Sequence, residues 1–314
     1  VHYMVNRLHG GVERLARTAS LDLEPGEFPE GAADFLEEVR ACGGVLNHAP
    51  WGGYLLYRLW PCVRVYTDGR GNFSDIETHV LTTIQNPGTR RRAIDASWQR
   101  APFEILVHPL PFPWFDYHRF FWILVYRDET AYVYLRNMPE NDPVFARVRD
   151  WYAARGVDLS GTRHTDESAV ELERRIQRFH GARMLDKPWA QRLLAATVRD
   201  ASEDTEEARH AALFRRADLY FGLGLHRECQ ETLALASQLD PRDPSAALLL
   251  VRSLVADGQQ PRAQLLAHVL LRSIRSDPGV AAKLTGQEIA ILNILGAHLG
   301  DLLGEPPPAP APGT

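Results

Sequence analysis

The chain has 314 residues, a formal charge of −5 and 45% hydrophobic side chains, enough for one large or two ordinary domains with cores of their own. So balanced a charge supplies no bulk basic field, which argues against a nucleic-acid partner. The three cysteines, Cys42, Cys62 and Cys229, show neither a CxxC pair nor a finger-like spacing, which argues against a zinc site.

No run of about 18 apolar residues occurs, so no stretch reads as a membrane-spanning helix, and none reads as a signal peptide. The chain opens on Val1 rather than Met. Either an upstream segment was removed, or a GUG start codon was translated literally.

Residues 1–27 read as a lead-in with a weakly amphipathic helix, closed by the breaker cluster PGEFPEG. Ala32–Arg40 is a predicted helix with Phe35, Leu36 and Val39 on one face. Gly43-Gly44 supplies the left-handed residue at its end. Val45–Asn47 is a predicted buried strand, Gly52-Gly53 a turn, and Tyr54–Trp60 a two-turn helix stopped by Pro61. Val63–Thr67 is strand-like: β-branched and aromatic with alternating character. Cys42 and Cys62 flank this unit. They either pair in an oxidising compartment or sit as two buried thiols, with buried thiols the default.

Helices are predicted at Phe73–Gln85 and Arg90–Arg100, and a strand at Phe103–His108. A loop rich in proline and aromatics follows, Pro109–Tyr117. Phe121–Tyr126 and Ala131–Leu135, split by Arg127-Asp128-Glu129-Thr130, predict a β-hairpin. Alternating strands and helices closed by a hairpin give a three-layer α/β domain over 28–140 with a short, mostly parallel sheet. Residues 141–165 form a connecting helix, Val144–Arg155, and linker.

From 166 to 304 alanine, leucine, arginine and glutamate dominate. Two charged amphipathic helices, Glu167–His180 and Lys187–Ala201, precede an internal repeat. Ala217, Tyr220, Gly224, Cys229, Leu233, Ala236 and Pro241 are spaced like one tetratricopeptide repeat. A shift of 34 residues, that family's period, lands on Val251, Leu254, Gly258, Ala263, Ala267 and Leu270. Small residues at 224/258 and 229/263 suit closely crossed helices. Thr285–Leu303 reads as a capping helix and 305–314 as an extended proline-rich tail.

The central stretch resembles the soluble C-terminal domains of polytopic membrane glycosyltransferases of the GT-C class. The resemblance rests on Asn47, Trp51, Gly52, Gly53, Tyr54, Leu55, Arg58, Asp68, Gly69 and Arg70, and on the hairpin Val125–Leu135. A more distant likeness is to the soluble domain of the oligosaccharyltransferase catalytic subunit. Its acceptor-binding Trp-Trp-Asp-Tyr-Gly motif is matched in position by His48-Ala49-Pro50-Trp51-Gly52, without the aspartate. The catalytic acids of that class lie in loops of the membrane region, and no such region occurs in these residues. The resemblance implies an extracytoplasmic address at a membrane.

The chemistry-bearing residues each have two readings. Asp68-Gly69-Arg70 follows a strand end, where open α/β sheets bind ligands. Asp68 would bond a sugar hydroxyl and Arg70 a phosphate; the default is a local turn. Trp51-Gly52-Gly53 opens a helix whose N–H groups would face an anion, with tight packing as the default. His48, His79, His108 and His118 lie in one domain, but no HxH or HxxxH pair supports a metal. No nucleophile elbow and no recognisable catalytic cysteine occur. Phe112, Trp114, Phe115 and Tyr117, stiffened by prolines, either meet a partner or lipid interface or cover the domain's own core. Asn72-Phe73-Ser74 fits a glycosylation sequon, a short and common motif.

The expectation is therefore a non-catalytic extracytoplasmic scaffold or accessory subunit of a membrane protein complex, without cofactor or metal. Its partners would be membrane protein subunits, with the membrane surface as a further contact. The helical repeats would present an interaction surface, with Ala217, Tyr220, Gly224, Cys229, Gly258 and Ala263 as packing residues. The alternative is the acceptor- or sugar-binding domain of a GT-C glycosyltransferase, acting near Trp51, Tyr54, Asp68 and Arg70.

Overall fold

The structure is a computed structural model that describes residues 28–67, 102–109, 122–161, 166–200 and 205–295, with the exception of 287, 291 and 294. The lead-in, Asp68-Gly69-Arg70, the sequon, the helices expected at 73–85 and 90–100, His79, His118, the aromatics at 112–117 and the tail lie outside the described residues. Two compact units divide the chain, 1–160 and 161–314.

The first unit is built on a five-stranded sheet in the order β2-β1-β3-β5-β4. The strands are β1 Gly43–Asn47, β2 Val63–Val65, β3 Ile105–His108, β4 Trp122–Arg127 and β5 Tyr132–Arg136. β1 pairs in parallel with β2 (Val45 opposite Val65) and with β3 (Val45 opposite Ile105). β5 runs antiparallel to both β3 and β4. The sheet is thus mixed, not mostly parallel, because the hairpin inserts β5 beside β3 and leaves β4 at the edge. The central strands carry continuous apolar runs, as strands buried on both faces do: Val45, Leu46, Ile105, Leu106, Val107, Val133 and Leu135 are all buried, as are Ile123 and Leu124 on the edge strand β4.

Helix α1, Glu30–Glu38, buries Ala32, Ala33, Phe35 and Leu36. Its end differs from expectation. The left-handed residue is Arg40 (φ 48°), not a glycine. The Arg40 N–H donates to Glu37 O and the Ala41 N–H to Leu36 O, a Schellman closure. A 3₁₀ turn, Ala49–Trp51, leads into α2, Gly52–Leu59. Gly52 is therefore helical (φ −59°) and not part of a turn. Helix α3, Asp142–Ala153, follows a 3₁₀ turn at Pro139–Asn141. It belongs to the first unit's core: Phe145, Val148 and Tyr152 are buried, and the Tyr152 hydroxyl donates to Val125 O at 2.8 Å.

The second unit is helical: α4 Asp166–Leu185, α5 Pro188–Asp200, α6 Glu206–Gly222, α7 His226–Leu239, α8 Pro244–Ala256, α9 Gln260–Ser276 and the single turn α10 Pro278–Ala281. The described positions between 286 and 295 are helical, with Leu292 and Leu295 buried. Three-residue links join α6 to α7 and α8 to α9, so each pair folds back on itself. Thr205 and Asp243 cap α6 and α8 by accepting backbone N–H bonds. Ala217, Cys229, Leu233, Ala246 and Leu249 form the core between α6, α7 and α8.

Candidate functional site

Three regions of the described residues bear on function. The first is the edge where β1, β2 and β3 end. Parallel pairing puts their carboxyl ends on one side, and the chain leaves β1 toward β2 on one flank and reaches β3 on the other. The crevice between β1 and β3 is a topological switch point, the usual ligand position in open α/β sheets.

One side chain organises that edge. The buried Asn47 amide donates to Thr67 O at 2.8 Å and His48 O at 2.9 Å, and its carbonyl accepts from the Tyr66 N–H at 3.1 Å. The His48 N–H donates to Val107 O. His48 and His108 thereby meet with ring centroids 5.9 Å apart, and Trp51 lies edge-on to His48 at 5.2 Å. Two of the four histidines considered for a metal are thus neighbours. Among the described residues no group of three or more His, Cys, Asp or Glu is placed to hold a metal ion.

The motif residues on α2 face structural partners. Trp51 is 5% exposed. The Tyr54 hydroxyl accepts from Arg58 at 2.9 Å, and its ring meets Phe28. Burial pushes the Tyr54 phenol up, against the opposing pull of Arg58. Arg58 reaches back to α1, donating to Asp34 at 2.5 Å and Glu37 at 3.4 Å. The Asp34 bond holds its pKa above the ordinary arginine value. This part of the motif fastens α2 to α1.

The second region lies at the opposite ends of β1 and β2. Cys42 and Cys62 are joined by a disulfide, with Cα atoms 4.7 Å apart, where the sequence default was two buried thiols. Both residues are exposed. The parallel register brings them together, since Gly43 stands opposite Val63 and donates to Cys62 O. Cys229 is the buried thiol of the chain, and burial pushes its pKa up to about 11.

The third region is a cleft of about 570 Å³ in the helical unit. Arg174, Arg175 and Arg178 of α4 line it together with Arg227 of α7, Glu171 and Asp257. Arg175 pairs with Glu171 at 2.8 Å, and Arg174 touches both Glu171 and, at 3.8 Å, Asp257. Gln259 donates to Asp257 at 2.6 Å and to Gln230 at 3.2 Å, so the α8–α9 turn is tied to α7. Two identical turns border the cleft. Gly224 (φ 72°) and Gly258 (φ 75°), 34 residues apart, close α6 and α8. In each, the glycine N–H donates three residues back and the next N–H five residues back. Ala217, Cys229 and Ala263 are fully buried, and Tyr220 packs against the cluster that holds Ala217 and Cys229. The cleft escaped sequence reading because three arginines on a charged helix look like a solvated face. Their spacing, 174, 175 and 178, was the available signal.

No protein-family model, curated protein or solved structure matches the chain. Among the described residues, no helix is long and apolar enough to cross a membrane.

Proposed function

We propose that the chain is a non-catalytic scaffold or accessory subunit of a membrane protein complex on the extracytoplasmic face, acting through protein–protein contacts. In this reading the helical unit is a tetratricopeptide-like array, and the first unit is a three-layer domain similar to the GT-C soluble tails. The observation that carries it is the cleft beside the two matched turns. Four guanidinium groups and three carboxylates, Glu171, Glu228 and Asp257, line about 570 Å³, a charged surface suited to an acidic segment of a partner. The exposed Cys42–Cys62 disulfide fits an oxidising compartment. The test is affinity capture from detergent-solubilised native membranes with the wild type and with Arg174→Glu/Arg178→Glu. The double variant loses its membrane subunits while its circular dichroism is unchanged; an unchanged set of subunits would sink the cleft as the interface.

A second reading is supported by the strand edge: the acceptor- or sugar-binding domain of a GT-C glycosyltransferase. It draws on the switch-point position of His48 and His108, and on Thr67, from which the chain enters Asp68-Gly69-Arg70. It expects binding of a lipid-linked sugar that Asp68→Ala and Arg70→Ala each abolish, measured by calorimetry. Equal affinity in wild type and both variants counts against it.

A further inference from the structure

The Cys42–Cys62 bond fastens the weakest strand of the sheet. Among the described residues β2 is an edge strand and pairs with β1 alone. It has three residues, against about five or six in a typical strand. Val63 is buried, but Arg64 is exposed and Val65 half-buried. So short an edge, with so little buried surface, holds poorly by pairing alone.

The two ends of β2 are fixed by different means. At the carboxyl end the Asn47 amide holds Tyr66 and Thr67. At the amino end the fastening is the disulfide, together with the Gly43 N–H, which donates to Cys62 O at 3.0 Å. β1 has a second hold on its other side. The Gly44 N–H donates to the Glu104 carboxylate at 2.7 Å, and the Glu104 N–H donates to Gly44 O. If the disulfide opens, β1 therefore stays beside β3, and the start of β2 is the part set free.

The bond is also within reach of solvent. Cys42 and Cys62 are both exposed, as are Trp60 and Pro61, which lead from α2 to Cys62. Exposed disulfides are the labile and regulatory ones, because a thiolate attacks them without the core opening. The third cysteine does not serve as the attacking thiol. Cys229 is buried in the helical unit, and burial raises its thiol to about 11, which keeps it protonated and inert.

We infer that Cys42–Cys62 is a reversible redox latch on β2, opened by an external dithiol. One thiolate of the dithiol attacks one sulfur, forming a mixed disulfide and releasing the other cysteine as a thiolate, which takes up a proton. The second thiol of the dithiol then displaces the mixed disulfide. One dithiol is thereby oxidised to a disulfide, and the Cys42–Cys62 bond is reduced by two electrons to two thiols. Once open, β2 keeps its Asn47 end and loses its other fastening. The start of the strand frays and bares the edge of β1 at Gly43–Val45. The latch goes beyond the scaffold reading and needs neither the arginine cleft nor a ligand at the strand edge.

The experiment is reduction of the full chain by dithiothreitol in native buffer. Thiols are counted by alkylation and mass spectrometry, and amide exchange is followed in both states. Reduction proceeds within about tenfold of its rate in denaturant; a bond reached only through global unfolding would lag by about 10³ or more. The exchange rate of the Gly43 and Cys62 amides, relative to those of β3 and β5, rises at least about tenfold on reduction and becomes indifferent to low denaturant. Oxidised glutathione restores the slow state. Cys42→Ser/Cys62→Ser exchanges like the reduced chain and responds to neither reagent. Reduction that requires denaturant, or an unchanged ratio of the two sets of amides, overturns the inference. Capture of membrane subunits is a separate readout, so failure of the latch leaves the scaffold reading standing, and failure of the capture leaves the latch.

Discussion

Asn47 bonds four neighbouring backbone groups from one buried amide, fixing the ends of β1 and β2 against each other. Asn47→Ala takes this partner from the Thr67 N–H and C=O in a nearly dry setting, while the Tyr66 N–H keeps Val45 O and the His48 carbonyl keeps the Trp51 N–H. It should cost about 2–3 kcal/mol in a denaturant titration, and a loss below about 0.5 kcal/mol would contradict the account. Two other buried groups set the alkaline limit. Burial raises the Cys229 thiol to about 11 and the Tyr152 phenol above its ordinary value. Both hold their protons more tightly folded than unfolded. The thiol's contribution is therefore complete below its unfolded value of 9.0 and is lost as pH rises toward about 11, and the phenol's is lost only above its unfolded value of 10.0. Unfolding midpoints should fall over that window, and less steeply in Cys229→Ala; a parallel fall in both proteins would count against Cys229 as a cause. At this scale the sequence was partly legible. Asn47, Trp51, Tyr54 and Arg58 stood out as a motif, but sequence alone does not distinguish a ligand contact from a packing contact. Arg58 shows why: its partners Asp34 and Glu37 sit more than 20 residues away on another helix.

Among the elements, α2 is held at its C-terminal end. Arg58 ties it to α1, and the disulfide ties the start of β2 to the start of β1. Closing a loop with a separation of 20 residues contributes about 3 kcal/mol. Cys42→Ala/Cys62→Ala should lose about that much, and the wild type should lose it on adding reductant while the double variant does not respond. The repeat was legible because Gly224 and Gly258 serve one backbone need twice, an αL closure at the same spacing. Gly258→Ala should cost about 1–2 kcal/mol, since besides its left-handed backbone an added methyl at 258 would meet Val170. A loss below about 0.5 kcal/mol would argue against close packing of α4 on that turn. Expectations failed where a long-range partner decided the outcome. The end of α1 is set by Arg147 of α3, which donates to Val39 O at 2.6 Å and to Arg40 O at 3.1 Å. The position of β5 inside the sheet is set by pairing with β3, and hairpin spacing does not encode it.

For the whole molecule, two units were legible as a change in composition near residue 166, and the contact boundary falls at Ser160. The mismatch comes from α3, whose Tyr152 and Phe145 belong to the first core. Limited proteolysis should therefore leave α3 attached to the first unit's core. Early cleavage between Asp142 and Ala153 would contradict that division.

The proposed role, holding other membrane subunits, is best tested by gentle detergent extraction of native membranes, affinity capture of the chain and mass spectrometry with stoichiometry. A scaffold subunit brings down a fixed set of separate membrane proteins, lost on Arg174→Glu/Arg178→Glu. Recovery of the chain as part of one larger polypeptide with many membrane-spanning segments, and with no co-purifying subunits, would contradict it and favour the transferase tail.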